Sequence, residues 1–137
     1  MGADGTTEAG NRPWRVLLAD DDASFRRLVR MLFDEVTTVE VVAEAADGAE
    51  AVRLAEELQP DCVILDMHMP IIDGDAALAM IKASCANTDV IALSGLEWQT
   101  RVGPAPDAAL EKANEAWMEM LPVLVETLAT SRVLGVS

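Results

Sequence analysis

Residues 62–70 read Cys62-Val63-Ile64-Leu65-Asp66-Met67-His68-Met69-Pro70 (CVILDMHMP). The run Cys62–Asp66 is short, apolar and free of polar alternation, which predicts a strand buried on both faces that stops at an aspartate. Upstream, Arg15–Ala19 (RVLLA) has the same character and stops at Asp20-Asp21-Asp22. Downstream, Val90–Ser94 (VIALS) makes a further buried strand and ends in a serine. Segments of helical period separate these runs. Phe25, Leu28, Val29, Leu32, Phe33 and Val36 recur as a helical stripe that Asp22 or Ser24 can cap.

The remaining segments complete the alternation. Val39–Ala45 (VEVVAEA) is β-rich and partly alternating, and Asp47-Gly48 turns the chain into a second helix over Ala49–Leu58, closed by Gln59-Pro60. A third helix is predicted from about Asp75 to Ser84, and Asp107–Glu111 is a weaker fifth strand. The last segment, Asn114–Ser131, has helical spacing, but Pro122 lies within it; the helix either kinks there or starts anew with Pro122 in its first turn. Strands alternating with helices predict an α/β fold, a doubly wound parallel sheet of five strands with helices on both faces.

With 137 residues the chain holds one domain, placed at 14–131 between a flexible N-terminal tail, 1–13, and a C-terminal tail, 132–137, and a second folded output domain is not expected. Lys plus Arg number 10 against 24 Asp plus Glu, a net charge of −14 that repels phosphate backbones and anionic lipid, so no direct nucleic-acid binding is expected. No apolar stretch approaches the roughly 20 residues of a membrane span. The start lacks the basic and apolar segments of a secretory signal, and Cys62 and Cys85 lack metal-ligand spacing and read as buried reduced thiols; a cytoplasmic location is expected.

The chemistry gathers at the carboxyl ends of the strands, where open α/β sheets bind ligands. Asp20 and Asp21 end the first strand, Asp66 the third, Ser94 the fourth, and Glu111-Lys112 the fifth. Carboxylates brought close together repel, and a hard divalent cation such as Mg²⁺ resolves the repulsion with oxygen ligands. Lys112 adds a mobile positive charge and Ser94 a hydroxyl donor, which suits an aspartate prepared for phosphoryl transfer.

The segments VLLADDD, SFRRLVRMLF, AADGAEAV, VILDMHMPIIDG, IALSG and ALEK follow one another in this order. In them, over about residues 15–130, the sequence resembles the receiver domains of bacterial two-component response regulators. The resemblance implies a flavodoxin-like strand order 2-1-3-4-5. It implies Asp66 as phosphoacceptor, Mg²⁺ held by Asp20, Asp21, Asp66 and the backbone carbonyl of His68, and Ser94 and Lys112 on the phosphoryl group. Gly95 would leave the acceptor open, and Pro70 and Gly74 would shape the loop after the third strand. The implied donor is a histidine kinase or histidine phosphotransfer protein. The domain would catalyse its own phosphorylation and dephosphorylation, act as a stand-alone regulator, and signal through a further protein.

The sequence departs from the family after the fourth strand. Ser94 and Lys112 are 18 positions apart, fewer than in most relatives, and Leu96–Pro106 carries no helical stripe but includes Gly103-Pro104-Ala105-Pro106, so the fourth helix is expected to be short or irregular. Ala109 stands where many relatives have the Tyr or Phe that changes rotamer on activation, and Ala113 follows Lys112 in place of proline, so no cis peptide is expected there. Two other functions compete: a pseudo-receiver that binds partners without phosphorylation, and a Mg²⁺-dependent phosphatase, which lacks a second acid two residues after Asp66. Asp22 is read as a helix cap and the His68 imidazole as solvent-facing. Trp98 and Trp117 read as single aromatics that need no partner, and Met118, Met120 and Leu121 as core packing.

Overall fold

Cys62–Asp66 (β3) is the central strand of a five-stranded sheet, and all of its residues are buried because neighbours flank it on both edges and helices cover both faces. The computed structural model describes residues 12–95 and 104–134. Its elements in chain order are β1 (Trp14–Ala19), α1 (Ala23–Phe33), β2 (Val39–Ala45), α2 (Gly48–Leu58), β3, α3 (Gly74–Ser84), β4 (Asp89–Ser94), β5 (Ala108–Glu111) and α4 (Trp117–Leu134). The strands lie in the order β2-β1-β3-β4-β5 and every pair is parallel, the flavodoxin-like arrangement expected.

Side chains alternate across each strand, so the uninterrupted apolar runs feed two cores. On one face Leu17, Val63, Leu65, Val90 and Ala92 pack with Ala51, Ala55, Leu78 and Ile81 of α2 and α3. On the other, Val16, Leu18, Ile64, Ile91 and Leu93 pack with Val29 and Phe33 of α1 and Leu121 and Val125 of α4. Each buried Val, Leu, Ile or Phe among them stabilises the fold by about 1.5–3 kcal/mol. The edge strand β2 is mostly half-buried, and its pairing with β1 shifts register between Val16 and Leu17.

Aspartates start three helices. The carboxylates of Asp22, Asp47 and Asp73 accept from backbone N–H groups in the first turns of α1, α2 and α3, satisfying donors that a helix start leaves open. Asp22 thus has the capping role the sequence suggests. α2 and α3 begin at Gly48 and Gly74, one residue before the expected starts, and β5 begins at Ala108.

The last helix differs most from expectation. α4 starts at Trp117, after turns in which Trp117 N–H donates to the Asn114 carbonyl and Asn114 Oδ1 accepts from Ala116, and it runs unbroken through Pro122 to Leu134. Pro122 therefore sits in the second turn of one helix rather than at a restart. Met120 is 50% exposed, which corrects its reading as core; Leu121 beside it is fully buried, because a helix turns adjacent residues to different faces. Trp117 is also buried, so it offers no partner surface.

Both cysteines are buried free thiols, and burial pushes the Cys62 thiol well above its usual range. No cis peptide occurs among the described residues. Trp98 and residues 96–103 of the stretch Leu96–Pro106, where an irregular fourth helix is expected, lie outside the described residues; residues 104–106 form neither helix nor strand.

Candidate functional site

β1, β3 and β4 end side by side, and this juxtaposition assembles the site. Asp20, Asp21 and Asp66 each bring a carboxylate oxygen to within 4.8 Å of the others. Asp20 is fully buried, Asp66 is 4% exposed, and Asp21 faces solvent. At that spacing two negative charges repel by about 3 kcal/mol at an effective dielectric of 20. The described residues supply one direct counter-charge: Lys112 Nζ donates to Asp20 Oδ2 at 2.6 Å and lies 3.4 Å from Asp66 Oδ2.

Each group is positioned from the backbone. Asp20 N–H donates to the Ala45 carbonyl at 3.0 Å, which fixes the end of β1 against β2, and Asp20 Oδ1 accepts from Asp22 N–H at 2.9 Å. Arg26 holds the same turn from α1, donating to the Asp20 carbonyl at 2.6 Å and to Glu44 at 2.8 Å. Asp66 Oδ1 accepts from His68 N–H at 3.0 Å. Lys112 N–H donates to the Ser94 carbonyl at 2.8 Å, so β5 carries the lysine alongside the end of β4.

Burial raises the Asp66 carboxyl above its ordinary range; the His68 N–H bond opposes this, the Asp20 charge adds to it, and Lys112 opposes it. Ser94 is 3% exposed, and its hydroxyl has no hydrogen-bond partner among the described residues. Its free donor therefore suits an incoming oxyanion. The oxygen-only donor set of Asp20, Asp21 and Asp66 fits a hard divalent cation such as Mg²⁺, which takes one or two carboxylates together with waters and phosphate oxygens. His68 adjoins this set, and its imidazole is exposed, as expected.

The loop between β3 and α3 is tightly built. Met67 N–H donates to the Leu93 carbonyl at 2.9 Å, and Gly74 N–H to the Met67 carbonyl at 3.3 Å. A Cβ on Gly74 would lie 2.3 Å from Met67 Cα, so only glycine lets the chain close this loop. Pro70 O accepts from Ile72 N–H at 2.9 Å and from Gly48 N–H at 3.3 Å, with Ile71 between them at φ 75°. That is a γ-turn of the rarer hand, uncommon for a β-branched residue. Among the described residues, a Cβ on Gly95 would meet only His68 Nε2, at 4.0 Å.

The sequence reading brings Asp20, Asp21, Asp66, Ser94 and Lys112 to the strand ends, and the geometry gathers them. Two features escaped it. Ile71 carries no sequence signal for a positive φ. Phe25, counted in the core stripe of α1, also lies under Lys112, with Nζ 4.2 Å from its ring centroid, and its ring meets Trp117 at 4.8 Å.

Comparison with known proteins places this geometry. The family model of the response regulator receiver domain matches residues 16–112. Among curated proteins, a protein-glutamate methylesterase/protein-glutamine glutaminase of Pseudoalteromonas atlantica is 32% identical over 87% of this chain and 30% of its own length. A probable C4-dicarboxylate response regulator, DctR, of Priestia megaterium is 40% identical over 61% of the chain and 36% of its own length. The chain thus spans about a third of the length of these relatives. Among solved structures, the response regulator domain of Thermotoga maritima CheB is 32% identical with TM-score 0.71, covering 87% of this chain and 96% of that one. The receiver domain of AraT from Geobacillus stearothermophilus is 30% identical with TM-score 0.77, covering 89% and 97%. With a family model over most of its length and its acidic strand ends assembled around one lysine, the chain belongs to the response regulator receiver domain family.

Proposed function

We propose that this receiver takes a phosphoryl group onto Asp66 from the phosphohistidine of a histidine kinase or histidine phosphotransfer protein, in a Mg²⁺-dependent reaction in the cytoplasm, and passes the signal to a partner protein. An Asp66 oxygen attacks phosphorus as the donor P–N bond breaks, and the imidazole leaves with the bonding pair. Lys112 pairs with the transferred oxygens, and the Ser94 hydroxyl donates to one of them. Asp20, Asp21, Asp66 and the His68 carbonyl would hold Mg²⁺, which supplies charge neutralisation for the incoming phosphoryl group. Later hydrolysis returns Asp66 to its free state.

The observation that carries this reading is the meeting of Asp20, Asp21 and Asp66 within 4.8 Å, with Lys112 3.4 Å from Asp66. A 31% identical neighbour, from Borrelia burgdorferi, was crystallised as a CheX–CheY–BeF3–Mg²⁺ complex; it matches over 65% of this chain and 67% of its own at TM-score 0.60. No helix of the described residues is long and apolar enough to cross a membrane. Incubation with acetyl phosphate and Mg²⁺ tests the reading by intact mass: one phosphoryl group should be gained, and none with EDTA or in Asp66→Asn. No gain in the wild type would make the chain an interaction module that works without phosphorylation.

A further inference from the structure

We propose that Phe25 is a positioning residue for Lys112: its ring, backed by Trp117, keeps the ammonium beside Asp66 when Asp20 is taken up by a divalent cation. The inference rests on the phosphoacceptor reading of Asp66. Among the described residues Lys112 Nζ has three anchors, Asp20 Oδ2 at 2.6 Å, Asp66 Oδ2 at 3.4 Å and the Phe25 ring centroid at 4.2 Å. Two of these are carboxylates that would also serve as cation ligands, so the shortest contact is one for which lysine and cation compete. The third is the face of an aromatic ring, whose quadrupole attracts an ammonium without ligating Mg²⁺ strongly. The ring contact is therefore the anchor that survives when the carboxylates change partners.

The ring is itself held in place. Phe25 is half-buried on α1 and packs at 4.8 Å and 36° against Trp117, the buried first residue of α4. α1 and α4 thus grip the pair from two sides. An aliphatic residue at position 25 would fill the same core space but offer the ammonium nothing. Lys112 would then be free to follow Asp20 or solvent, away from the oxygens it must meet.

The chain has two lysines, Lys82 and Lys112, which makes the test unambiguous. Lys82 pairs with Asp107 at 2.5 Å near the opposite ends of the strands and provides an internal reference. In protein carrying ¹³C-lysine, the ε-methylene protons of Lys112 should resonate upfield of those of Lys82, through the Phe25 ring current, and stay upfield when Mg²⁺ is added. Phe25→Leu should abolish that displacement, and Phe25→Tyr should retain it. With acetyl phosphate and Mg²⁺, Phe25→Leu should phosphorylate Asp66 about fivefold to tenfold more slowly, the size that a partly desolvated cation–π contact supports, while Phe25→Tyr should restore the rate.

A Lys112 signal that coincides with that of Lys82, that moves to it on Mg²⁺ addition, or that ignores Phe25→Leu would overturn the proposal. So would equal phosphorylation rates in the wild type and Phe25→Leu. A wild-type protein that shows the ring-current signature yet never gains a phosphoryl group would instead remove Asp66 as the acceptor, and the positioning role with it.

Discussion

Lys112 Nζ sits 2.6 Å from Asp20 Oδ2, closer than to the proposed acceptor Asp66 at 3.4 Å. Asp20 is fully buried, and a buried carboxylate must be paired or protonated. Before any cation arrives the lysine therefore serves first as the counter-charge of Asp20. The same side chain that would stabilise the phosphoryl group is needed to keep the empty pocket folded.

Lys112→Ala should accordingly lower stability by about 2 kcal/mol in EDTA. This is less than the roughly 3–5 kcal/mol for breaking a fully buried pair, because Lys112 is 27% exposed. Saturating Mg²⁺ should recover most of the loss by supplying the missing positive charge. Urea midpoints with EDTA and with Mg²⁺ check this, and an equal loss in both would show that Lys112 does not neutralise the carboxylates.

Mg²⁺ should stabilise the wild type by mass action, by about 2.7 kcal/mol at a hundred times its dissociation constant. Asp21→Ala tests the ligand set cleanly, because the Asp21 side chain is exposed and its loss disturbs no packing. The variant should keep or slightly exceed wild-type stability in EDTA and lose most of the Mg²⁺ effect. Undiminished stabilisation by Mg²⁺ would remove Asp21 from the site.

The strands and their order follow from runs such as CVILD and VLLA, because a strand buried on both faces has no reason to alternate. The acidic site was legible for the same reason: each carboxylate stands at the point where an apolar run stops. What escaped the sequence depends on contacts between distant segments. Phe25 has the helical spacing of a core residue, and nothing in that spacing reveals that Lys112, remote in sequence, folds over its ring. Pro122 reads as a helix breaker, yet burial of Leu121 and Val125 on either side holds α4 together through it. Met120 shows the reverse: an apolar residue turned to solvent beside the fully buried Leu121.

Ile71 holds φ 75° while its side chain is 78% exposed, so its strain is offset by little burial of its own. A non-glycine residue in this region costs about 1–3 kcal/mol, whereas glycine adds up to about 1 kcal/mol of backbone entropy loss. Ile71→Gly should therefore stabilise the fold by about 1 kcal/mol in thermal or urea unfolding. Gly48→Ala acts on the same turn with opposite sign, because its Cβ would lie 1.9 Å from the Ile72 carbonyl oxygen and the backbone would have to move. If Gly48→Ala were neutral, the packing of this turn on α2 would be looser than the structure has it.

Glu44 and Asp89 should give opposite responses to pH. The Glu44 carboxyl lies below its ordinary value of 4.5, chiefly through its bond from Arg30, against the opposing effect of burial and with help from Arg26. A lowered folded pKa means stability that is present above about 4.5 and is lost as pH falls through the folded value. Glu44→Gln should therefore cost about 1 kcal/mol at pH 7, modest because Glu44 is 29% exposed, and the gap to wild type should close as pH falls below 4.5. Asp89 is raised, because burial outweighs its 2.9 Å pairing with Arg132. Its ionised form is the less stable one in the fold, a penalty present at neutral pH and relieved as pH falls through the raised value. Asp89→Asn should match or exceed wild-type stability at pH 7 and lose that advantage in acid. Urea midpoints of the three proteins between pH 7 and pH 4 test both signs together; parallel curves would mean that neither carboxyl is perturbed by its partners.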